Sequence, residues 1–124
     1  MFLRWPARFR NAFRGLAIAF RKDWALSEHL VCAAGVIAAG LALRATLVEW
    51  CLLILCVGAV IGAELFNTAL EQLAQAIDRQ HNPQIGAALD MAAAAVLIVA
   101  VGASVVGGTV FGYRLGVMLA WWSA

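Results

Sequence analysis

Three long apolar runs decide what this chain can fold into: about Leu26 to Leu43, about Leu47 to Leu70, and about Met91 to Tyr113, the last with room to continue to Trp122. Each is near or above the roughly 20 residues that carry an α-helix across about 30 Å of hydrocarbon. The bilayer core offers no water to backbone N–H and C=O groups, so spans this few and this long must be helical. Composition agrees, because 65% of the 124 residues are hydrophobic and 13% charged. Soluble domains hold roughly 45–50% apolar and about 25% charged residues. The expected fold is an all-α membrane protein forming one membrane domain over 1–124. It comprises an amphipathic surface helix at about 5–22, transmembrane helices at about 26–43, 47–70 and 91–113, and a loop at 72–89.

The N-terminal helix is read from spacing. Trp5, Phe9, Phe13, Leu16 and Phe20 follow one another at steps of four, four, three and four, one stripe of a helix. Arg10, Arg14 and Arg21 gather beside one edge of that stripe, and Arg4 and Arg8 beside the other. An aromatic face flanked by arginines fits a helix lying among lipid headgroups, with guanidinium groups on phosphates. The plainer alternative is a basic helix packed on the protein's own core. Arginines interrupt the segment too often for a cleavable signal peptide, so it is expected to stay in the mature protein.

With the N-terminus inside, seven of the nine basic residues (Arg4, Arg8, Arg10, Arg14, Arg21, Lys22, Arg79) are cytoplasmic and two (Arg44, Arg114) are outside. The positive-inside rule therefore predicts an N-in, C-out topology with a cytoplasmic 72–89 loop. Within that loop, Asp78-Arg-Gln-His-Asn-Pro83 reads as a turn. Gly58 and Gly62, with Gly102, Gly107 and Gly108, give spans two and three small faces that favour tight bundling or oligomerisation. Cys32, Cys51 and Cys56 lie in apolar stretches without CxxC or CxxH spacing, which points to neither a disulfide framework nor a zinc site. The net charge of +2 is modest, and no nucleic-acid partner is expected.

The informative polar cluster is Glu64-Leu-Phe-Asn67-Thr68-Ala-Leu-Glu71. Glu64, Asn67 and Glu71 stand at i, i+3 and i+7, on one helical face. Glu64 lies about two turns, on the order of 10 Å, inside the end of its span. A carboxylate at that depth costs roughly 2.5–3.5 kcal/mol, which marks it as functional by default; the alternative is a polar group bonding helices together. Asp90, Asp23, Glu28, Arg4, Arg14, His81 and Asn82 converge on the same membrane level. Carboxylates without a Cys or His cluster suit a hard cation such as Mg²⁺ held partly through phosphates. No Walker or kinase glycine loop is present, so a phosphate site would have to come from helix ends, arginines and metal. His29 reads as an interfacial or packing histidine rather than a proton carrier.

These residues resemble the small prokaryotic diacylglycerol kinases and their undecaprenol kinase relatives over nearly the whole chain. The similarity is strongest in the Glu64–Glu71 motif, followed after eighteen residues by Asp90-Met-Ala-Ala-Ala-Ala-Val-Leu. Phe9-Arg-Asn-Ala-Phe-Arg-Gly-Leu16 and Ser27-Glu-His-Leu30 are similar to the family's surface helix and its entry into span one. The resemblance implies a homotrimer in the bacterial inner membrane, with active sites shared between subunits. There, the γ-phosphoryl of Mg-ATP would pass to a lipid hydroxyl, of diacylglycerol or undecaprenol. Glu64 matches the catalytic carboxylate, and Glu71 a metal-holding glutamate. Asp23 stands where the family has a second metal-holding glutamate. Asn67 and Asp90 match residues around the nucleotide, Arg4 an arginine near the phosphates, and His81 and Asn82 the loop approaching the nucleotide.

The departures are Leu89, where the family carries a phosphate-neutralising lysine, Ser27 in place of an arginine, and Gln75 in place of an aspartate. Phosphoryl transfer depends on positioning and charge neutralisation, so a missing cation calls for replacement by Arg79, Arg14 or another subunit's arginine. A second hypothesis is therefore a catalytically lapsed relative that binds lipid or nucleotide or acts as a regulatory subunit. A third is a small oligomeric channel or transporter with Glu64 lining its path.

Overall fold

The computed structural model describes residues 4–78 and 80–121, so Arg79 and Trp122 lie outside the described residues. Four helices follow in order: α1 (Trp5–Lys22), α2 (Trp24–Ala42), α3 (Leu47–Ile77) and α4 (Pro83–Met118), with no strand among the described residues. At 1.5 Å per residue, α2 is about 28 Å long, α3 about 46 Å and α4 about 54 Å. The first just spans the hydrocarbon, and the other two overrun it.

That overrun corrects the expected 72–89 loop, since among its described residues only 78 and 80–82 are non-helical. Hydropathy marks where a helix leaves the membrane, whereas helix ends are set by local chemistry. Gln72–Ile77 is rich in good helix formers, so α3 continues past its apolar run. On the other side, Asn82 accepts hydrogen bonds from Gln84 N and Ile85 N at 3.0 and 3.3 Å, and Pro83 occupies the first turn. An Asn cap followed by Pro is a strong start signal, and it launches α4 seven residues before Asp90.

The other boundaries have equally local causes. A single extended residue, Asp23, separates α1 from α2; its N–H still closes α1 on Ala19 O, and its carboxylate caps α2 by accepting from Ala25 N at 2.8 Å. The α2–α3 turn places Arg44 in the left-handed region at φ 54°. Thr46 and Glu49 then start α3 with a reciprocal capping box. Gly40 is required here, because a Cβ would stand 2.6 Å from the Trp50 ring.

The α3–α4 hairpin is the main packed unit; α2 lies mainly on α3, and α1 touches α2 and α3. Leu26, Ala33, Leu53 and Val110 form a narrow core, while Leu55, Leu97 and Ile98 are exposed apolar side chains on the spans. In water such a surface would not persist; it is what lipid or a neighbouring subunit covers. Ser104 and Thr109 return their hydroxyls to the carbonyls of Ala100 and Val105, leaving no bare donor in the span. The chain is a multi-pass membrane protein with three helices long and apolar enough to cross. Gly58, Gly62, Gly102, Gly107 and Gly108 have open space where a Cβ would stand, so the close approach expected at these glycines is not made within one chain. The three cysteines are free.

Candidate active site

Glu64 and Thr68, one turn apart on α3, are the two buried polar side chains among the described residues, at 6% and 4% exposure. They are buried because the Asp23 break folds the start of α2 against α3. Thr68 donates its hydroxyl to Asp23 Oδ2 at 2.5 Å, while Asp23 Oδ1 holds Ala25 N. From the same helix, two turns from Asp23, His29 brings Nε2 to 3.5 Å from Glu64 Oε2. That separation exceeds an ordinary N–H···O bond, so the imidazole faces the carboxylate without tying it up. Asp23 and His29 are the titratable neighbours acting on Glu64.

One turn beyond Glu64, Asn67 Nδ2 donates to Glu71 Oε1 at 2.9 Å. This orients the amide and leaves Asn67 Oδ1 buried without a donor. Past Glu71, the ends of α3 and α4 and their loop surround a cavity of about 880 Å³, lined by Glu71, Gln75, His81, Asn82, Leu89 and, from α1, Lys22. Two apolar grooves reach the same region. A groove of about 660 Å³ between α1 and α3 runs from Phe9 and Phe13 to Thr68. Another of about 490 Å³ among α2, α3 and α4 has His29 at its polar end.

One chain thus gathers Glu64 with Asp23, and Glu71 with Asn67, His81 and Asn82. It does not gather Arg4 or Asp90: Arg4 is exposed ahead of α1, and Asp90 is exposed on α4 and does not line the cavity. Among the described residues no three His, Cys, Asp or Glu side chains come together to hold a metal. The donor chemistry nevertheless fits Mg²⁺, which takes one or two carboxylates and completes its shell with water and phosphate oxygens. The orphaned Asn67 oxygen beside Glu71 is a further hard donor awaiting a cation or a ligand proton.

Sequence reading gave no role to Thr68 or Lys22 and treated His29 as packing. A signal for His29 was present: Leu26, His29, Ala33 and Gly40 stand three, four and seven residues apart, one helical face whose other members are buried. Lys22 had none, because its place on the cavity wall depends on how α1 lies against α3.

The family model for prokaryotic diacylglycerol kinase matches residues 10–111. The chain belongs to this family. Undecaprenol kinase of Bacillus subtilis (strain 168) is 32% identical over 103 residues, covering 83% of this chain and 84% of the relative. No solved structure matches the chain. The family match includes Asp23, Glu64, Asn67, Glu71, His81, Asn82 and Asp90, whereas Arg4 precedes it. Membership thus falls on the segments that build both the buried carboxylate and the cavity.

Proposed function

We propose that this chain is a lipid kinase that transfers the γ-phosphoryl group of ATP to the hydroxyl of a membrane lipid, at a cytoplasmic site in the bacterial inner membrane. The observation that carries this reading is Glu64, a buried carboxylate facing an imidazole about two turns from a polar cavity. Family membership supports the reaction class, and the name of the Bacillus subtilis relative makes undecaprenol the first acceptor to try, ahead of diacylglycerol.

In this mechanism the lipid enters from the bilayer along an apolar groove, and Glu64 takes the proton of its hydroxyl. The lipid oxygen bonds to the γ-phosphorus as the bond to the ADP oxygen breaks, so a phospholipid and ADP leave. His29 faces the Glu64 carboxylate and orients it through charge rather than a tight hydrogen bond, and Asp23 is itself fixed by Thr68. Glu71, Asp23 and Asn67 Oδ1 would hold Mg²⁺, which supplies charge neutralisation at the phosphates. His81 and Asn82 line the cavity and would border the nucleotide there. The open glycine faces of α3 and α4 suit a homotrimer, in which Arg4 and Asp90 complete the site of a neighbouring subunit. The exposed rings of Trp5, Phe9 and Phe13 enter the lipid boundary, with Arg8 held over Trp5 at 5.6 Å.

A catalytically lapsed, ligand-binding relative is the second reading, favoured by Leu89 standing in the cavity wall. Incubating the purified protein with Mg²⁺, γ-labelled ATP and an extracted bacterial lipid mixture separates the two. Label in a lipid product supports the kinase and identifies its acceptor. Label that appears only in Leu89→Lys establishes the lapsed reading.

A further inference from the structure

We infer that Lys22 is the cation that grips the phosphate chain of the nucleotide, standing in for the positive charge that Leu89 does not provide. This rests on the kinase reading for the identity of the ligand, and on the cavity for its placement.

The cavity between the ends of α3 and α4 is lined by the polar Glu71, Asp78, Gln72, Gln75, His81 and Asn82 and by the apolar Ile85 and Leu89. Lys22 is its one Lys or Arg among the described lining residues. No ion pair or hydrogen bond with a described residue engages its ammonium. Glu71 and Asp78 line the same cavity and form no ion pair with Lys22, which leaves the ammonium free for a ligand.

Its position is fixed from behind. Lys22 is the last residue of α1, and the next residue is anchored three ways: Asp23 N to Ala19 O at 2.9 Å, Asp23 Oδ1 to Ala25 N at 2.8 Å, and Asp23 Oδ2 to Thr68 Oγ1 at 2.5 Å. The Asp23–Thr68 bond ties the end of α1 to α3, and Lys22 also lines the α1–α3 groove beside Thr68 and Gln72. Lys22 therefore stands where the apolar groove and the polar cavity meet.

The chemistry follows from that junction. A ligand with an anionic chain beside Glu71, which would hold Mg²⁺, needs a compact positive charge that is not itself a metal ligand, and an ammonium on a four-carbon stem meets this as a point charge on phosphate. Lys22 transfers no proton; it contacts phosphoryl oxygens and lowers their charge while the bond to ADP breaks. The mobile stem also reaches over a range of positions that a residue on α4 would have to match by register.

The test measures binding of Mg²⁺-AMP-PNP to the full chain in lipid nanodiscs, alongside phosphoryl transfer to lipid, for wild type, Lys22→Gln, Lys22→Arg and the double variant Lys22→Gln/Leu89→Lys. Losing a charge-assisted contact predicts roughly 10–100-fold weaker nucleotide binding in Lys22→Gln. Lys22→Arg should stay within about threefold of wild type, and the double variant should regain at least half of the lost binding on a logarithmic scale, because a cation returns to the cavity from α4. Lysine-dependent binding by a wild type that transfers nothing keeps this assignment and removes the kinase reading. Transfer and nucleotide binding that persist undiminished in Lys22→Gln keep the kinase reading and remove this assignment, and a wild type that binds no nucleotide removes both.

Discussion

The two ends of the α2–α3–α4 bundle both place charged side chains near the membrane boundary, yet they treat them in opposite ways. At the α2–α3 turn, Arg114 donates to Leu43 O at 3.1 Å and to Arg44 O at 2.7 Å, and its Nε lies 3.7 Å from Glu49. Glu49 in turn holds Thr46 N at 2.9 Å in the capping box. The guanidinium thus closes the carbonyls of a turn that includes a left-handed arginine, and its partner is occupied as well. At the other end, Glu64 is buried with an imidazole at a loose 3.5 Å, Asn67 Oδ1 has no donor, and Lys22 lines an open cavity. Satisfied polar groups fasten a structure, whereas the orphaned Asn67 oxygen and the unpaired Lys22 ammonium keep bonding capacity for a ligand. The difference marks the first end as a structural clasp and the second as the place for the proposed reaction.

Substitutions at the two ends should therefore fail in different ways. The largest effect is expected at Glu64: Glu64→Gln should cut phosphoryl transfer by about 10³-fold, in the range of a lost general base, while the protein melts at the wild-type temperature. Next is Glu71→Gln, expected to lower transfer by about 10²-fold through lost charge neutralisation, with part of the rate recovered at high Mg²⁺ in a titration. His29→Gln should reduce kcat about tenfold, equivalent to about 1.4 kcal/mol of transition-state stabilisation, and leave the KM for ATP unchanged. That split marks His29 as a positioning residue for Glu64. Arg114→Gln should give the smallest change in rate, within about twofold for the folded fraction, but should destabilise the protein by about 1–3 kcal/mol because two carbonyls lose their donor. An Arg114 variant that melts normally but transfers nothing would break the contrast between the ends.

Much of the fold was legible because hydropathy and length act locally. The three spans announce themselves in apolar runs too long for anything but membrane helices, and Thr46-Leu-Val-Glu49 and Asn82-Pro83 carry their own start signals. The 72–89 segment was misjudged where two rules diverge: leaving the membrane ends an apolar run but does not end a helix built of Gln, Leu and Ala. For the site, the i, i+3, i+7 spacing placed Glu64, Asn67 and Glu71 on one face, and depth singled out Glu64. Contacts across elements were not legible. The approach of His29 to Glu64 depends on how α2 packs on α3, and Arg114 reads as one of two outside charges until the α2–α3 turn is seen to need its donors. Arg4 and Asp90 show the complementary case, since within one chain they stand apart from the cavity with which sequence similarity associates them.

The most direct measurement pairs transfer rate with thermal unfolding for Glu64→Gln and Arg114→Gln, purified together in the same lipid. The account predicts that Glu64→Gln keeps its melting temperature and loses transfer, while Arg114→Gln melts earlier and its folded fraction still phosphorylates lipid. The reverse pattern, an active Glu64→Gln beside a stable but inactive Arg114→Gln, would contradict it.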